Sequence, residues 1–347
     1  MTIGEFVTYF QSELAHLEWY DKREVRSMAS YLLKELAGVE SYKLIVDPQM
    51  ELEPSVGTAL MGCLAKMKKG EPLQYALGYE YFCGHKFSVA PGVLIPRPET
   101  EELVNLILSD TGCCVKAQEP LKVLDICTGS GCIAWSLASG LPGSRVYGCD
   151  ISDEALAIAR SQNIAEVKIS SEISFFKCDI LDAGAGTLIK GMVCDSNPGF
   201  DIIVSNPPYV CDEERCQMRA NVLDYEPELA LFVPDDDPLK FYRRIVELSA
   251  GRRPEGRLEE RLEGGSEDNL SGILKRGGLL YFEVNERFAA EVVALMQSAG
   301  FTECQIVCDM FGKERMVKGR RDAASADNKD AAILGTFSGD MSQDVCS

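Results

Sequence analysis

Histidine is nearly missing from this chain: His16 and His85 are the only two among 347 residues. With so few, no zinc-finger spacing can be built, and the fourteen cysteines supply no Cys-x-x-Cys pair. Long apolar runs are missing as well. No stretch approaches the ~20 residues needed to span a bilayer, and the N-terminus lacks the basic-then-apolar pattern of a signal peptide. Basic residues are the third shortage. Thirty-five Lys and Arg face 54 Asp and Glu, for a net charge of −19 and a pI near 4.6. Nucleic-acid binders gain affinity by neutralising phosphates, so this balance argues against DNA or RNA as substrate. It suits a basic protein partner, which the acidic surface would also steer. What is present is ample for a core: 46% of residues are hydrophobic, and the length exceeds one average domain. Many cysteines sit inside strands or beside motifs, as do Cys127, Cys132, Cys149 and Cys178. They read as reduced, small apolar fillers of a cytoplasmic protein, with exposed thiols such as Cys346 as the exceptions.

The most informative residues are Asn206-Pro207-Pro208-Tyr209. They end the apolar run Asp201–Ser205, which reads as a buried parallel strand. Two prolines cannot continue a strand, because they lack amide donors and have fixed φ. The chain must leave the sheet at its carboxyl edge, where open α/β sheets bind ligands. There Asn206 offers a side-chain carbonyl and Pro207 a backbone carbonyl, with Tyr209 as an aromatic shelf. Two acceptors and a shelf suit a planar NH2 group gripped by both hydrogens. The plain alternative is a strand ending in a Pro-rich turn with an Asn cap.

Upstream residues weigh against the plain alternative. The short strand Leu121–Asp125 runs into Cys127-Thr128-Gly129-Ser130-Gly131, and a helical stretch, Cys132–Ala138, follows and stops at Gly140. Strand, glycine turn and helix form the nucleotide-binding arrangement, in which backbone amides approach the ligand. The next strand, Val146–Cys149, ends in Asp150, placed to accept from both ribose hydroxyls. A third, Ile173–Lys177, leads to Cys178, Asp179 and Ile180, where the carboxylate can accept from an adenine amino group and Ile180 can flank the ring. The first glycine of the dinucleotide fingerprint is absent, which argues against NAD.

This order resembles the class I S-adenosyl-L-methionine-dependent methyltransferases, and within them the amino-methylating group that carries Asn-Pro-Pro-Tyr. The segments Glu-Pro-Leu-Gln-Tyr-Ala-Leu-Gly (71–78) and Val-Leu-Ile-Pro-Arg-Pro-Glu-Thr-Glu (93–101) are similar to signatures of the release-factor glutamine methyltransferases, the PrmC/HemK family. Gly300–Phe301 and Asp309–Arg315 resemble that family's closing hairpin. The resemblance covers roughly residues 1–319. It implies a doubly wound, seven-stranded, mainly parallel Rossmann-like α/β sheet with a small N-terminal helical domain. It also implies S-adenosyl-L-methionine as cofactor and class I peptide chain release factors as protein substrate, methylated at the glutamine of a Gly-Gly-Gln motif. Neither direct nucleic-acid contact nor a membrane is expected. Cys127 is a departure, since glycine often stands there; a small residue fits if its φ stays negative. Residues 251–272 look like an insertion the family does not need.

The expected organisation is an N-terminal helical substrate-recognition domain at 1–75, a linker with a β-hairpin at 76–100, and a methyltransferase domain at 101–319. Within these, 251–272 is expected to be a mobile insertion and 320–347 a disordered tail. In the first domain Asp21 and Glu24 form a capping pair before Val25, Met28, Ala29, Leu32, Leu33 and Leu36 at helical spacing, with Gly38 as the stop. Leu60, Met61, Leu64 and Met67 repeat the pattern. Such stripes are ordinarily core. The linker hairpin is expected over Phe82–Ile95 with Pro91-Gly92 as its turn. By resemblance, Arg97–Glu101 should lie against the cofactor site; otherwise it is a proline-stiffened linker. Gly278–Glu283 reads as a further strand, Arg287–Ser298 as a helix, and Glu303–Val307 with Arg315–Lys318 as a closing antiparallel pair.

Catalysis here rests on Asn206 and Pro207, which would grip the amide, with Pro208 and Tyr209 completing the substrate site. Cys127, Thr128, Gly129, Ser130, Gly131, Asp150, Asp179, Ile180 and Asn206 would hold the cofactor; no metal is expected. Three other readings stand beside this one. A glutamine methyltransferase of a ribosomal protein would use the same site. An N6-adenine DNA methyltransferase shares the NH2 logic but needs a basic, aromatic recognition region that is not evident. A non-catalytic cofactor-binding module would have no need of Asn206.

Overall fold

The computed structural model describes residues 1–17, 19–112, 119–163, 170–193, 199–251 and 272–323. Four helices open it: Ile3–Leu14, Lys22–Ala37, Lys43–Val46 and Pro54–Met67. The first starts at a capping box in which Thr2 and Glu5 satisfy each other's backbone amides. The second starts at Asp21, whose side chain accepts the Arg23 amide, and ends at Gly38. Glu24 turns away from that cap and pairs with Arg219 at 2.8 Å. The apolar stripes bury Ile3, Phe6, Phe10, Leu32, Leu33, Leu60, Leu64 and Met67 in a core of their own, separate from the sheet.

After a short helix, Leu73–Leu77, Tyr79–Phe82 (β1) and His85–Ser88 (β2) pair antiparallel with Phe82 opposite His85. The turn is therefore Cys83-Gly84, with φ of 49° and 76°. Two successive positive φ angles are the pattern of a two-residue hairpin turn matched to strand twist. This corrects the expected turn at Pro91-Gly92. Cysteine is unusual at positive φ, so Gly84 alone marked the true turn.

The remaining strands are Lys122–Ile126 (β3), Arg145–Asp150 (β4), Glu172–Lys177 (β5), Phe200–Ser205 (β6), Val210–Cys211 (β7), Phe232–Val233 (β8), Leu274–Glu283 (β9), Phe301–Cys308 (β10) and Glu314–Arg321 (β11). Seven of them form one sheet in the order β10-β11-β9-β6-β3-β4-β5, parallel except for β11, which runs antiparallel to both β9 and β10. β7 and β8 make a small parallel pair. The sheet extends past the expected limit at Gly319, so Arg320 and Arg321 belong to a strand rather than to a tail. The rest of the expected tail, from 324, and the expected insertion between Gly251 and Gly272 lie outside the described residues.

Alternation along the central strands creates two cores, one on each face. Leu124, Ile126, Ile203, Leu280 and Phe282 face one side, packed with the helices Lys240–Ala250 and Ala289–Ser298. Val123, Ile202, Val204 and Tyr281 face the other, packed with Pro98–Gly112 and Cys132–Gly140. That is the doubly wound arrangement, with helices covering both faces of a mainly parallel sheet.

Candidate active site

Strand register assembles the site. Ile126 pairs with Cys149 on one side and Ser205 on the other, so Cys127, Asp150 and Asn206 leave the sheet side by side. Asp150 pairs with Lys177, placing Cys178 and Asp179 next along the edge. Ser205 pairs with Phe282, which sets Glu283 level with Asn206. A cavity of about 370 Å³ lies over this carboxyl edge, a size typical of small-molecule sites. Its walls include Cys127, Thr128, Gly129, Ser130, Asp150, Asp179, Ile180, Asn206 and Pro208.

Gly131, Pro207 and Tyr209 stand outside those walls. A Cβ on Gly131 would meet Ala159, Trp135 and Phe175 at 3.1–3.2 Å, and its φ is +80°, so both packing and backbone favour glycine there. The Pro207 residue as a whole is buried. Tyr209 is half-buried against the core, and its hydroxyl donates to Glu283 Oε1 at 2.9 Å.

The loop and its acids lock one another. The Gly129 amide donates to Asp150 Oδ2 at 2.9 Å and the Ser152 amide to Oδ1 at 3.0 Å. Burial pushes the Asp150 carboxyl above its ordinary range, while these amides and that of Ile151 pull it down. Behind the loop, Asp125 accepts from the Thr128 hydroxyl at 2.5 Å and the Ala134 amide at 3.2 Å. Burial pushes the Asp125 carboxyl up to about 7. Cys127 corrects an expectation: its φ is +61°, not negative. The chain must turn sharply there so that the Thr128 amide can reach the Cys149 carbonyl at 3.0 Å. A side chain in that region costs about 1 kcal/mol, which is why glycine suits the position.

The Asn206 end of the cavity is built differently. Asn206 Nδ2 donates to Thr100 Oγ1 at 3.2 Å, and Thr100 Oγ1 donates to Glu283 Oε2 at 2.6 Å. Thr100 and Glu283 are only 3% and 1% exposed. Burial pushes the Glu283 carboxyl up, and the hydroxyls of Thr100 and Tyr209 pull it down. With its nitrogen held from behind, Asn206 has its carbonyl oxygen left for a ligand. Thr100 lies in the segment expected against the site, and Pro96 and Arg97 join it on the wall. Glu283 was not foreseen as a site residue. Its only sequence signal is an acid ending an apolar strand.

Residues 9–78 match the PrmC N-terminal domain family and residues 117–249 a methyltransferase domain family. The release factor glutamine methyltransferase of Bacteroides thetaiotaomicron is 39% identical over 319 residues, covering 92% of this chain and 100% of that protein. The chain belongs to the release factor glutamine methyltransferase family. The same-named proteins of Flavobacterium psychrophilum and Chlorobaculum tepidum are 37% and 32% identical, over 92% and 82% of this chain and 99% and 87% of theirs.

For a member of this family the cavity fits S-adenosylmethionine. A Cβ built on Gly129 meets nothing within 4 Å, so that position opens onto free space that a side chain would fill. Asp150 and Asp179 are strand-end acceptors. Ile151 and Leu181 stand 40% and 42% exposed on the wall, apolar surface suited to a ring. Arg97 also borders a second cavity, lined by Glu24, Met28 and Tyr31 of the helix Lys22–Ala37 and by Arg219, Val222 and Glu226. Glu226 fixes this junction, accepting from Arg97 Nη2 at 2.5 Å and from the Ile95 amide at 3.1 Å. Tyr225 donates to the Lys69 carbonyl at 2.6 Å and closes the seam. Among the described residues no helix is long and apolar enough to cross a membrane.

Proposed function

We propose that this chain transfers a methyl group from S-adenosylmethionine to the side-chain amide nitrogen of a glutamine in class I peptide chain release factors. The observation that carries this reading is Asn206 on the cavity wall, its side-chain nitrogen held by Thr100 so that its carbonyl is left for a substrate NH2. When bound, S-adenosylmethionine supplies an electrophilic methyl on a sulfonium. Cys127, Thr128, Gly129, Ser130, Asp150, Asp179 and Ile180 would hold it, with Gly131 shaping the loop.

A glutamine nitrogen is a poor nucleophile because its lone pair is delocalised into the carbonyl. Asn206 Oδ1 and the Pro207 carbonyl each accept one of its N–H groups. That grip turns the nitrogen toward the methyl and favours pyramidalisation, which frees the lone pair. The glutamine nitrogen would take the methyl that the bound cofactor supplies and would release one N–H proton to solvent. Positioning supplies much of the acceleration. Positive charge spreads onto the nitrogen, so acceptor dipoles suit the site better than a cationic clamp would. The partner is a protein, with the helical region 1–75 as the recognition element and the cytoplasm as the setting. Neither nucleic acid nor membrane takes part.

The test is incubation with a release factor and methyl-labelled S-adenosylmethionine, followed by mapping of the label. Label on one glutamine side chain is expected. Label on a ribosomal protein and none on release factors would overturn the substrate.

A further inference from the structure

Resting on the proposed amide transfer, we infer that Thr100 and Glu283 are positioning residues that lock the Asn206 side chain with its carbonyl toward the substrate amide. An asparagine side chain can be turned end for end at almost no steric cost. One orientation presents an acceptor to the substrate NH2. The other presents NH2 to NH2 and forfeits half of the grip. Choosing between them requires a neighbour that accepts but does not donate.

Thr100 alone cannot make that choice, because a hydroxyl both donates and accepts. Glu283 makes it. One carboxylate oxygen receives the Tyr209 hydroxyl at 2.9 Å and the other the Thr100 hydroxyl at 2.6 Å. The single Thr100 proton is thereby committed away from Asn206, and its oxygen has only lone pairs to offer. Asn206 must then donate to it, as it does at 3.2 Å. The reverse orientation would set Oδ1 against the Thr100 oxygen, acceptor against acceptor. Burial makes the lock firm, since Thr100 and Glu283 are almost wholly withdrawn from solvent and their hydrogen bonds lie in a low-dielectric setting. Tyr242 donates to the Glu283 backbone carbonyl at 3.1 Å and fixes the strand end beneath it. Neither Thr100 nor Glu283 touches the transferring methyl in this scheme. They act through Asn206.

Glu283→Gln tests the logic with little change of shape. Its amide can donate to Thr100, which frees the Thr100 hydroxyl to donate to Asn206 Oδ1 and reverses the lock. Thr100→Val removes the hydroxyl, and Thr100→Ser keeps it. In steady-state assays on a release factor, Thr100→Val and Glu283→Gln are expected to lower kcat by about tenfold, the loss of roughly one hydrogen bond. Thr100→Ser should hold the parental rate. Melting temperature and cofactor affinity report whether each variant is folded, and the Thr100 pair decides if Glu283→Gln is not. A second readout needs no turnover: hydrogen exchange of the Asn206 side-chain amide by NMR, slow in the parent and about tenfold faster in Thr100→Val. Parental kcat in Thr100→Val, or unchanged exchange despite a lower kcat, would overturn the lock. If the parent labels no release factor, the proposed function fails, and the exchange comparison still decides the lock by itself.

Discussion

The two ends of the cavity are built by opposite means. The cofactor end is local: a loop of five residues, 127–131, is fastened to the end of the adjoining strand by the Gly129–Asp150 hydrogen bond. The Asn206 end gathers Thr100, Asn206 and Glu283, which are more than 70 positions apart and come from a helix, the residue just past β6 and the end of β9. Short-range construction leaves a motif. Long-range construction leaves scattered single residues whose relation exists only after folding. The loop end can therefore be read from a motif, whereas the aim of Asn206 can be read only from the folded chain.

Several changes should act on one end and spare the other. The largest effect is expected from Gly129→Val, which puts a branched side chain into the cavity at a φ of +52°. Calorimetric titration should show S-adenosylmethionine binding nearly abolished while release-factor binding survives. Binding within a factor of two of the parent would show that the ligand does not approach this loop.

Asp125 gives a smaller effect, on stability. Its folded pKa is raised to about 7 from about 4 in the unfolded chain. Between those values the folded state holds a proton that the unfolded state has lost, so stability falls as pH rises through that window and levels off above it. The slope is on the order of 1 kcal/mol per pH unit at most. Asp125→Asn should remove that component. Denaturant titrations at pH 5 and pH 8 should therefore differ less in the variant, and an unchanged difference would mean that Asp125 is charged in both states.

Cys127→Gly should have the smallest effect. Relief of the positive-φ strain is expected to raise stability by up to about 1 kcal/mol, offset in part by glycine's greater freedom when unfolded. A lower melting temperature in the variant would show that thiol packing outweighs the backbone cost.

What could be read from the sequence follows the same division. The strands came from apolar runs, and their ends named Asp150, Asp179 and Asn206 correctly as neighbours on one edge. The N-terminal helices came from their stripes. Three features stayed hidden for physical reasons. The hairpin turn at Cys83-Gly84 uses a residue not favoured at positive φ. At Gly131 the packing of Trp135, Phe175 and Ala159 adds a reason for glycine that the loop motif alone does not show. The sequence gives no sign that the Tyr209 hydroxyl donates to a buried carboxylate 74 residues away. Register and tertiary hydrogen bonding decided each case, and neither has a local sequence signature.

The most direct test of the division is a paired measurement of S-adenosylmethionine affinity and saturated turnover in Asn206→Ala and Asp150→Ala. Asn206→Ala should keep the parental affinity and lose turnover by about a hundredfold, the scale of a lost transition-state acceptor. Asp150→Ala should lose about 1–3 kcal/mol of affinity and regain most of its turnover at saturating cofactor. Equal losses of affinity and turnover in both variants, or parental turnover in Asn206→Ala, would contradict the assignment of the two ends.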